Sequence, residues 1–315
     1  CVVGAGYVGL TTAVCLAELG NEVKIVDIDK ERIEKIRKGI APIYEEGLQE
    51  LLEKNLHRIE AGVDYDIDEE VIFICVGTPS LPNGKIDLKY VLNAAENIAN
   101  NMRDGSIVVV KSTVFPGTTQ KIIKPLIAKY GKKFSIVMNP EFLREGKAVH
   151  DFMNPDRIVI GVEDEIAEKV LKKLYKPIKA PLFIVKLTEA EMIKYASNAM
   201  LATKITFANE IGNLCKILGI DVYKVMEGVA MDHRISPHFL NAGIGFGGSC
   251  FPKDLRALYA GGREIGYKME MVDAILRIND RQPLQVIRIL EKYMDVEGKV
   301  IAVLGLAFKA NTDDV

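Results

Sequence analysis

The stretch Gly4-Ala5-Gly6-Tyr7-Val8-Gly9 is a G-x-G-x-x-G pattern, and its context decides the fold class of this chain. A short β-branched run precedes it, a helical pattern over Val8–Leu19 follows it, and Asp27 ends the next β-branched run. Gly4 would permit the tight turn, Gly6 the approach of a pyrophosphate, and Gly9 the close packing of helix and strand. The helix N-terminus would supply a positive field for phosphates. The pattern therefore predicts a βαβ unit that binds a dinucleotide.

Asp27 indicates which dinucleotide is bound. It lies 23 residues after Gly4, at the end of the second predicted strand. A carboxylate there can accept hydrogen bonds from the adenosine ribose hydroxyls, and it repels a 2′-phosphate. We therefore expect NAD, and not NADP, as the cofactor. The alternative interpretation is a structural strand–turn–helix without a ligand.

Short β-branched runs alternate with amphipathic stretches from residue 1 to about residue 185. This alternation predicts an α/β fold with a Rossmann-like, doubly wound parallel sheet, and the continuous apolar runs suit a sheet covered on both faces. The predicted strands are Cys1–Val3, Val23–Val26, Val71–Val76, Ile107–Val110, Ser135–Met138, Ile158–Ile160 and Phe183–Val185. The predicted helices between them are Val8–Leu19, Lys30–Lys38, Gly47–Lys54, Leu88–Met102, Thr118–Tyr130 and Glu165–Tyr175.

The pattern becomes helical from about residue 188, which predicts an all-helical middle domain. Thr188 and Glu191 form a T-x-x-E capping box that would open a helix ending near Gly219. Further helices are predicted at Val222–Val229, at Lys253–Ile265 and at Lys268–Glu291 with a break near Pro283. The apolar run from Lys299 to Gly305 predicts the first strand of a further α/β domain. The expected parts are 1–187, the NAD-binding domain, 188–296, the helical domain, and 297–315, the start of the further domain.

Composition argues against several classes of protein. The 315 residues are 49% hydrophobic and 27% charged, which is typical of a globular chain and not of a disordered, coiled-coil or collagen-like one. The formal net charge of −2 lacks the basic excess of a nucleic-acid-binding protein. No apolar run approaches the ~18 residues of a membrane span. Neither a nucleic acid nor a membrane is therefore expected as a partner.

Cysteine and histidine placement favours a reducing compartment and argues against a metal site. The five cysteines are odd in number and form no dense framework, so we expect a cytoplasmic protein. No C-x-x-C, H-x-x-x-H or H-E-x-x-H is present, so no metal is expected. Four of the thiols are interpreted as small buried apolar groups, namely Cys1, Cys15, Cys75 and Cys215.

Cys250 differs from the other cysteines in its surroundings. It stands in the glycine-rich stretch GFGGSCFPKD at 245–254, where Pro252 suits the first turn of a helix. Cys250 would then lie at a helix N-terminus near Lys253, and both features lower the pKa of a thiol. Asp254 follows four residues later and can reach the same region. We expect a reactive thiolate, the alternative being a buried thiol after a glycine-rich turn.

Lys194 and Asn198 share one face of the long predicted helix, among mainly apolar neighbours. A lysine on a mostly buried helix needs a polar partner, although a lysine that reaches solvent is the alternative. Polar loops also end three predicted strands: Asn139–Gly146, Lys111–Thr113 and Cys75–Pro79. Ligands bind at the carboxyl edge of a parallel sheet, so these loops predict a site there.

These stretches together resemble the nucleotide-sugar 6-dehydrogenases. The matching pieces are GAGYVGL at 4–10, VGTP at 76–79, KSTV at 111–114, NPEFLREG at 139–146, NPDRIVIG at 154–161, KYASNA at 194–199, GFGGSCFPKD at 245–254 and GLAFK at 305–309. The resemblance covers essentially the whole chain. It implies a four-electron oxidation of the sugar C6 alcohol by NAD, through a cysteine thiohemiacetal and thioester. UDP-glucose is the substrate implied first, with GDP-mannose or another nucleotide sugar left open. A two-electron hydroxyacid dehydrogenase and a non-catalytic NAD-binding module are the remote alternatives.

The resemblance also implies a role for each matching residue. Cys250 would be the nucleophile, Lys194 and Asn198 would hold the oxyanion and a water, and that water would be positioned and deprotonated by Asp254, Thr113 and Glu141. NAD contacts would come from Gly4, Gly6, Tyr7, Val8, Gly9, Asp27, Arg32, Thr78, Thr113, Glu145 and Lys253. Nucleotide-sugar contacts would come from Glu141, Phe142, Leu143, Arg144, Glu145, Lys194, Asn198, Arg234, Phe239, Asn241, Gly243, Gly247 and Lys309. Arg234 would be donated by a neighbouring subunit. The long helix of about 30 residues is itself a common place for subunits to meet, so we expect a homodimer or higher homo-oligomer through it. Lys309 would begin a third, nucleotide-sugar-binding domain that continues beyond residue 315.

Overall fold

One mostly parallel sheet organises the first part of the chain. The computed structural model describes residues 1–312 and residue 314. The strands are β1 (Val2–Val3), β2 (Val23–Val26), β3 (Ile59–Gly62), β4 (Val71–Ile74), β5 (Ser106–Val110), β6 (Phe134–Met138), β7 (Ile158–Val162) and β8 (Leu182–Val185). Their order in the sheet is β3-β2-β1-β4-β5-β6-β7-β8. Neighbours pair in parallel except β6 and β7, which are antiparallel.

Helices connect the strands and then continue alone. They are α1 (Tyr7–Glu18), α2 (Lys30–Arg37), α3 (Leu48–Asn55), α4 (Lys89–Asn101), α5 (Lys124–Ala128), α6 (Ala148–Met153), α7 (Glu165–Tyr175), α8 (Leu187–Leu218), α9 (Val222–Ala230), α10 (Phe251–Glu264), α11 (Glu270–Arg281) and α12 (Leu284–Leu290). A 3₁₀ turn covers Leu56–Arg58 and a π-helical turn covers Thr119–Ile123.

The strand order creates a switch point beside β1. In the sheet Val3 pairs with Val26 of β2 on one side and with Ile74 of β4 on the other. The connections that leave β1 and β4 therefore diverge, and a crevice opens between them at the carboxyl edge of the sheet. The glycine stretch follows β1 and the loop with Thr78 follows β4, so both border this crevice.

Apolar side chains cover both faces of the sheet. On one face Leu10 and Val14 of α1 pack in a buried cluster with Ile25 of β2. On the other face Ile98 of α4 packs in a second cluster with Val108 of β5. Every residue of β5 is buried, as expected for a parallel strand between two helical layers.

Backbone contacts divide the chain into two units. The first comprises Cys1–Pro79 and Ile86–Lys194, and the second comprises Ser80–Lys85 and the residues from Tyr195 onward. The division falls within α8. The boundaries expected from sequence, at 187 and 296, stay predictions.

Two elements were not predicted because their signals are not local. The strand β3 lies at the edge of the sheet and pairs only with β2, and its sequence Ile-Glu-Ala-Gly is poor in β-forming residues. The helix α6 has six residues and no side-chain cap of its own, and its first N–H bonds to Glu45. The predicted helix Thr118–Tyr130 is also interrupted, because Pro125 lacks the N–H that a regular turn needs.

The predicted capping box and the predicted final strand are both wrong. The helix α8 begins at Leu187, and the carboxylate that reaches back to the Lys186 N–H is that of Glu189, at 2.8 Å. Glu191 is instead buried and accepts the N–H groups of Gly117 and Thr119 at 2.5 and 2.8 Å. Among the described residues, 299–305 pair with no strand and lie exposed, since an extended segment needs a neighbour for its hydrogen bonds.

Candidate functional site

The glycine stretch between β1 and α1 has the shape that a dinucleotide needs. Gly4 has a φ of +98°, which only glycine adopts without strain. A Cβ on Gly9 would lie 1.7 Å from the Gly4 carbonyl oxygen, so strand and helix approach too closely for any side chain. A Cβ on Gly6 would meet no atom within 4 Å. The open space at Gly6, in front of the α1 N-terminus, fits a pyrophosphate.

Asp27 ties the glycine stretch to the end of β2. Its carboxylate accepts the backbone N–H of Ala5 at 2.5 Å and that of Asp29 at 2.9 Å, and only 9% of the residue is exposed. The guanidinium of Arg32 lies 3.4 Å from the same carboxylate and is one-third exposed. The two residues thus stand at the edge where the adenosine ribose of NAD would lie, and the residues present fit that cofactor.

The loops after β4 and β5 are joined to each other. The Ser112 hydroxyl lies 2.7 Å from the Val76 carbonyl oxygen and 3.2 Å from that of Ile74. Thr78 is buried and Thr113 is half-buried. Both predicted residues therefore lie on neighbouring loops at the carboxyl edge of the sheet, next to the crevice.

A buried ion pair joins the loop after β6 to α8. The ammonium of Lys194 lies 2.7 Å from the Glu141 carboxylate, and both side chains are buried. Burial alone would raise the pKa of Glu141, but the Lys194 ammonium and the N–H of Leu143 outweigh it and hold this pKa below its ordinary value. The Phe142 ring lies 5.6 Å from the same ammonium. Lys194 thus has the polar partner that its predicted position requires.

The loop from Phe142 to Gly146 is held by two further carboxylates. Arg144, expected to contact the sugar, is exposed and donates to both oxygens of Asp151 at 2.8 and 2.6 Å. Glu45 accepts the N–H of Gly146 at 2.6 Å. Glu145 is half-buried on the same loop. The side chain of Arg144 is therefore engaged within the loop, and its contact with a sugar stays a prediction.

A buried lysine lies behind this loop. Lys111 donates to the Asn139 side-chain oxygen at 3.0 Å, and the Tyr175 hydroxyl donates to the same oxygen at 2.6 Å. Burial lowers the pKa of Lys111, and the nearby Cys75 and Glu141 offset this only in part. Because Asn139 stands two residues before Glu141, this cluster helps to hold the turn that carries Glu141.

In the second unit, Cys250 and Asp254 begin α10. Cys250 is half-buried at the N-cap position, with the Ser249 hydroxyl 3.7 Å from its sulfur. Asp254 is buried and accepts the Asn198 amide at 2.7 Å and the Lys253 ammonium at 2.6 Å. The predicted partners Asn198, Lys253 and Asp254 are therefore brought together.

Side-chain amides from α8, from α11 and from the residue after α11 fasten the loop before Cys250. Asn209 accepts the Gly243 N–H at 2.6 Å, and Gln282 donates to the Gly243 carbonyl at 2.8 Å. Asn279 accepts the Phe246 N–H at 2.8 Å and donates to its carbonyl at 3.0 Å. Uncharged groups thus hold the backbone that leads to Gly247.

The remaining predicted substrate residues lie on more exposed parts of the second unit. Arg234 is exposed and pairs with both oxygens of Asp232, at 3.0 and 2.5 Å. Phe239 has a φ of +65°, and Asn241 is exposed. Lys309 is exposed near the ring of Phe308. The contacts of these four residues with a nucleotide sugar stay predictions.

Comparison with known proteins decides the family. Residues 1–179 match the NAD binding domain of the UDP-glucose/GDP-mannose dehydrogenase family, and residues 188–281 match its central domain. The chain belongs to the UDP-glucose/GDP-mannose dehydrogenase family. It is therefore an NAD-dependent nucleotide-sugar dehydrogenase, which confirms the predicted fold class, enzyme class and cofactor.

Relatives within the dehydrogenase family cover the whole chain. The UDP-glucose 6-dehydrogenase TuaD of Bacillus subtilis is 45% identical over all of this chain and 70% of its own length. The UDP-glucose 6-dehydrogenase AglM of Haloferax volcanii is 44% identical over all of this chain and 77% of its own. The solved UDP-glucose dehydrogenase of Pyrobaculum islandicum is 46% identical with a TM-score of 0.96, over all of this chain and 75% of that one.

Two further features of this dehydrogenase concern metal binding and membrane insertion. Across residues 1–312 and 314, no three His, Cys, Asp or Glu side chains are placed to hold a metal ion together. Within the same part of the chain, no helix combines the length and the apolar character that a membrane crossing requires.

Sequence reasoning missed three groups that hold the loops on which predicted site residues lie. Lys111 stands in a motif that was noted, but its burial is visible only in the fold. Glu45 lies in an ordinary loop, and Asn279 lies on a helix whose pattern indicates only packing. Their partners are distant in sequence, and no local signal could have identified them.

Proposed function

We propose that the full-length protein catalyses the NAD-dependent four-electron oxidation of the C6 alcohol of UDP-glucose to the carboxylate of UDP-glucuronate. The observation that carries this proposal is Cys250 at the start of α10, with the buried carboxylate of Asp254 one helical turn later. A dehydrogenase that stops at a carbonyl needs no thiol, whereas a thiol can hold an aldehyde carbon for a second oxidation. The names of the relatives support UDP-glucose as the sugar.

The proposed chemistry runs through a bond between C6 and the Cys250 sulfur. NAD, when bound, supplies the hydride acceptor. The C6 alcohol first loses a proton and a hydride and becomes an aldehyde. The Cys250 thiolate adds to the aldehyde carbon, and the alkoxide takes up a proton to give a thiohemiacetal. The thiohemiacetal becomes a thioester on loss of its hydroxyl proton and a second hydride. Water then breaks the C–S bond, releasing the thiol and the carboxylate.

Five polar side chains are assigned roles in these steps. We assign Lys194 and Asn198 to the oxyanion and to the attacking water, because an ammonium and an amide donate to developing negative charge. We assign Asp254, Thr113 and Glu141 to positioning and deprotonating that water. The depressed pKa of Glu141 supports an ionised carboxylate at neutral pH.

Binding roles follow the motifs. We assign the pyrophosphate of NAD to the glycine stretch and the ribose to Asp27 and Arg32. The remaining NAD contacts are assigned to Thr78, Thr113, Glu145 and Lys253. The nucleotide sugar is assigned to Phe142–Glu145, Phe239, Asn241, Gly243, Gly247 and Lys309, with Arg234 supplied by a second subunit.

We also propose a homodimer or higher homo-oligomer that forms through α8, in the cytoplasm. Several large apolar side chains of α8 are exposed, among them Met192 at 44%, Met200 at 63% and Phe207 at 49%. Cys1, Cys15, Cys75 and Cys215 are free thiols, and a reactive thiol at Cys250 suits a reducing compartment. A monomeric mass in light scattering at micromolar concentration would contradict the assembly.

The test is the yield of NADH per nucleotide sugar, with UDP-glucose and GDP-mannose side by side. We expect two NADH per UDP-glucose from the wild type, and loss of the complete reaction in Cys250→Ser. Two NADH per GDP-mannose would keep the chemistry and change the sugar. One NADH per sugar, or unchanged oxidation in Cys250→Ser, would replace the thioester route with a two-electron dehydrogenase.

A further inference from the structure

The loop assigned to the sugar is fastened by a carboxylate about one hundred residues earlier in the chain. Glu45 accepts the N–H of Gly146 at 2.6 Å on one oxygen and the N–H of Ala148 at 3.0 Å on the other. The residue is 4% exposed. Both oxygens of a buried carboxylate are thus committed to the backbone at the end of this loop.

These two N–H groups need a partner from elsewhere in the fold. Gly146 has a φ of +79°, so the chain turns sharply there. Ala148 begins α6, and the residue before it, Lys147, provides no side-chain cap. First-turn N–H groups have no acceptor inside their own helix. Glu45 supplies the acceptor, and its negative charge also suits a helix N-terminus.

Glu45 can act as an anchor because its own segment is held in place. Its carbonyl oxygen accepts the N–H of Leu48, the first residue of α3. The Gln49 side chain accepts the N–H of Ala41 at 2.8 Å and donates to the carbonyl of Gly39 at 2.7 Å. The carboxylate therefore projects from a braced turn.

The other end of the sugar loop is held independently. The Glu141 carboxylate accepts the N–H of Leu143 at 2.7 Å, and the same carboxylate pairs with Lys194. With both ends fastened, the segment from Phe142 to Glu145 has little freedom to rearrange. The conformational entropy of this segment is therefore lost when the protein folds and not when the sugar binds.

We propose that Glu45 is a positioning residue for the nucleotide sugar, holding the backbone from Phe142 to Glu145 in its binding conformation. This inference rests on the proposed assignment of that segment to the sugar. In this role Glu45 acts through the loop and not on the reacting atoms. Its loss is expected to weaken sugar binding far more than chemistry or NAD binding.

The test compares Glu45→Gln with Glu46→Gln in the full-length enzyme. Both changes convert a carboxylate to an amide, but Glu46 is exposed and serves as the matched control. In Glu45→Gln the amide NH₂ faces one of the two N–H donors, so one hydrogen bond to a charged group is lost. We expect KM for UDP-glucose to rise about tenfold in Glu45→Gln. The kcat should stay within about threefold, and the NAD Kd within about twofold, of the wild-type values.

Glu45→Asp separates positioning from failure to fold. It keeps the charge but is too short to reach both N–H groups, so an intermediate KM is expected. An unchanged KM in Glu45→Gln would overturn the inference. An equal loss of sugar and NAD affinity would also overturn it, because Glu45 would then only stabilise the unit. If the wild type prefers GDP-mannose, the proposed sugar fails, and the same comparison with GDP-mannose still tests Glu45.

Discussion

The ammonium of Lys194 lies 2.7 Å from the carboxylate of Glu141, and the two residues are only 3% and 6% exposed. Burying either charge alone would cost free energy, and the attraction between the two opposite charges offsets that cost. The pair joins α8 to the loop after β6, so one interaction serves both the stability of the first unit and its proposed chemistry.

Removing one partner of this pair is expected to be strongly destabilising. Lys194→Met leaves the Glu141 carboxylate buried without its cation, and we expect a loss of about 3–5 kcal/mol in the free energy of unfolding. The double variant Lys194→Met/Glu141→Gln removes both charges and is expected to recover much of that loss. Urea unfolding of Lys194→Met, Glu141→Gln and the double variant gives the coupling free energy between the two residues. Equal stability of the Lys194→Met and double variants would contradict this account.

The same pair makes stability depend on pH in the acid range. The pKa of Glu141 is held below its ordinary value of 4.5 in the folded chain. Its contribution is therefore fully present above 4.5 and is lost as the pH falls through the folded pKa. We expect the wild type to lose stability more steeply in acid than Glu141→Gln does. Parallel curves of unfolding free energy against pH for the two proteins would refute this assignment.

Alanine substitutions at two glycines of the first loop are expected to have different effects. In Gly6→Ala the added Cβ would meet no atom within 4 Å, so the fold should be retained. The methyl group would, however, occupy the space assigned to the pyrophosphate. We expect the NAD Kd to rise about tenfold or more without a change in Tm. In Gly9→Ala the Cβ would lie 1.7 Å from the Gly4 carbonyl oxygen, so both NAD binding and Tm should fall.

The control for the glycine variants is Gly228→Ala, on α9 of the other unit. A Cβ there also meets no atom within 4 Å. Alanine is the better helix former, so Tm should hold or rise while NAD binding is unchanged. Normal NAD affinity in Gly6→Ala would show that the pyrophosphate lies elsewhere.

The amide of Asn279 is expected to control access to Cys250. Asn279→Ala removes both hydrogen bonds to the Phe246 peptide, four residues before the thiol. The loop should then move more freely, and we expect iodoacetamide to alkylate Cys250 several-fold faster, because the loss of these two hydrogen bonds favours open conformations of the loop. The neighbouring exposed residue offers the control Asp280→Ala, which should alkylate at the wild-type rate. Equal rates in the two variants would mean that Asn279 only packs.

Local patterns predicted the elements whose energetics are local. The strand Val23–Val26 and the helix Glu165–Tyr175 have the predicted bounds, because β-branched and amphipathic periodicity is unbroken there. The edge strand β3 was not predicted, because its pairing with β2, and not its composition, makes it a strand. The capping interpretation of Glu191 failed for a similar reason, since its oxygens bond to Gly117 and Thr119.

Short-range patterns in the sequence were enough to predict the dinucleotide fold, the cofactor and the family. Glycine spacing, a helix start and contiguous motifs each involve only a few neighbouring residues, so their chemistry can be inferred from the sequence. The partners of the buried polar groups became known only from the folded chain. Lys194 meets Glu141 across 53 positions, Asn198 meets Asp254 across 56, and Glu45 meets Gly146 across 101. A buried charge is stabilised by whatever the fold packs against it, and no local pattern encodes that neighbour.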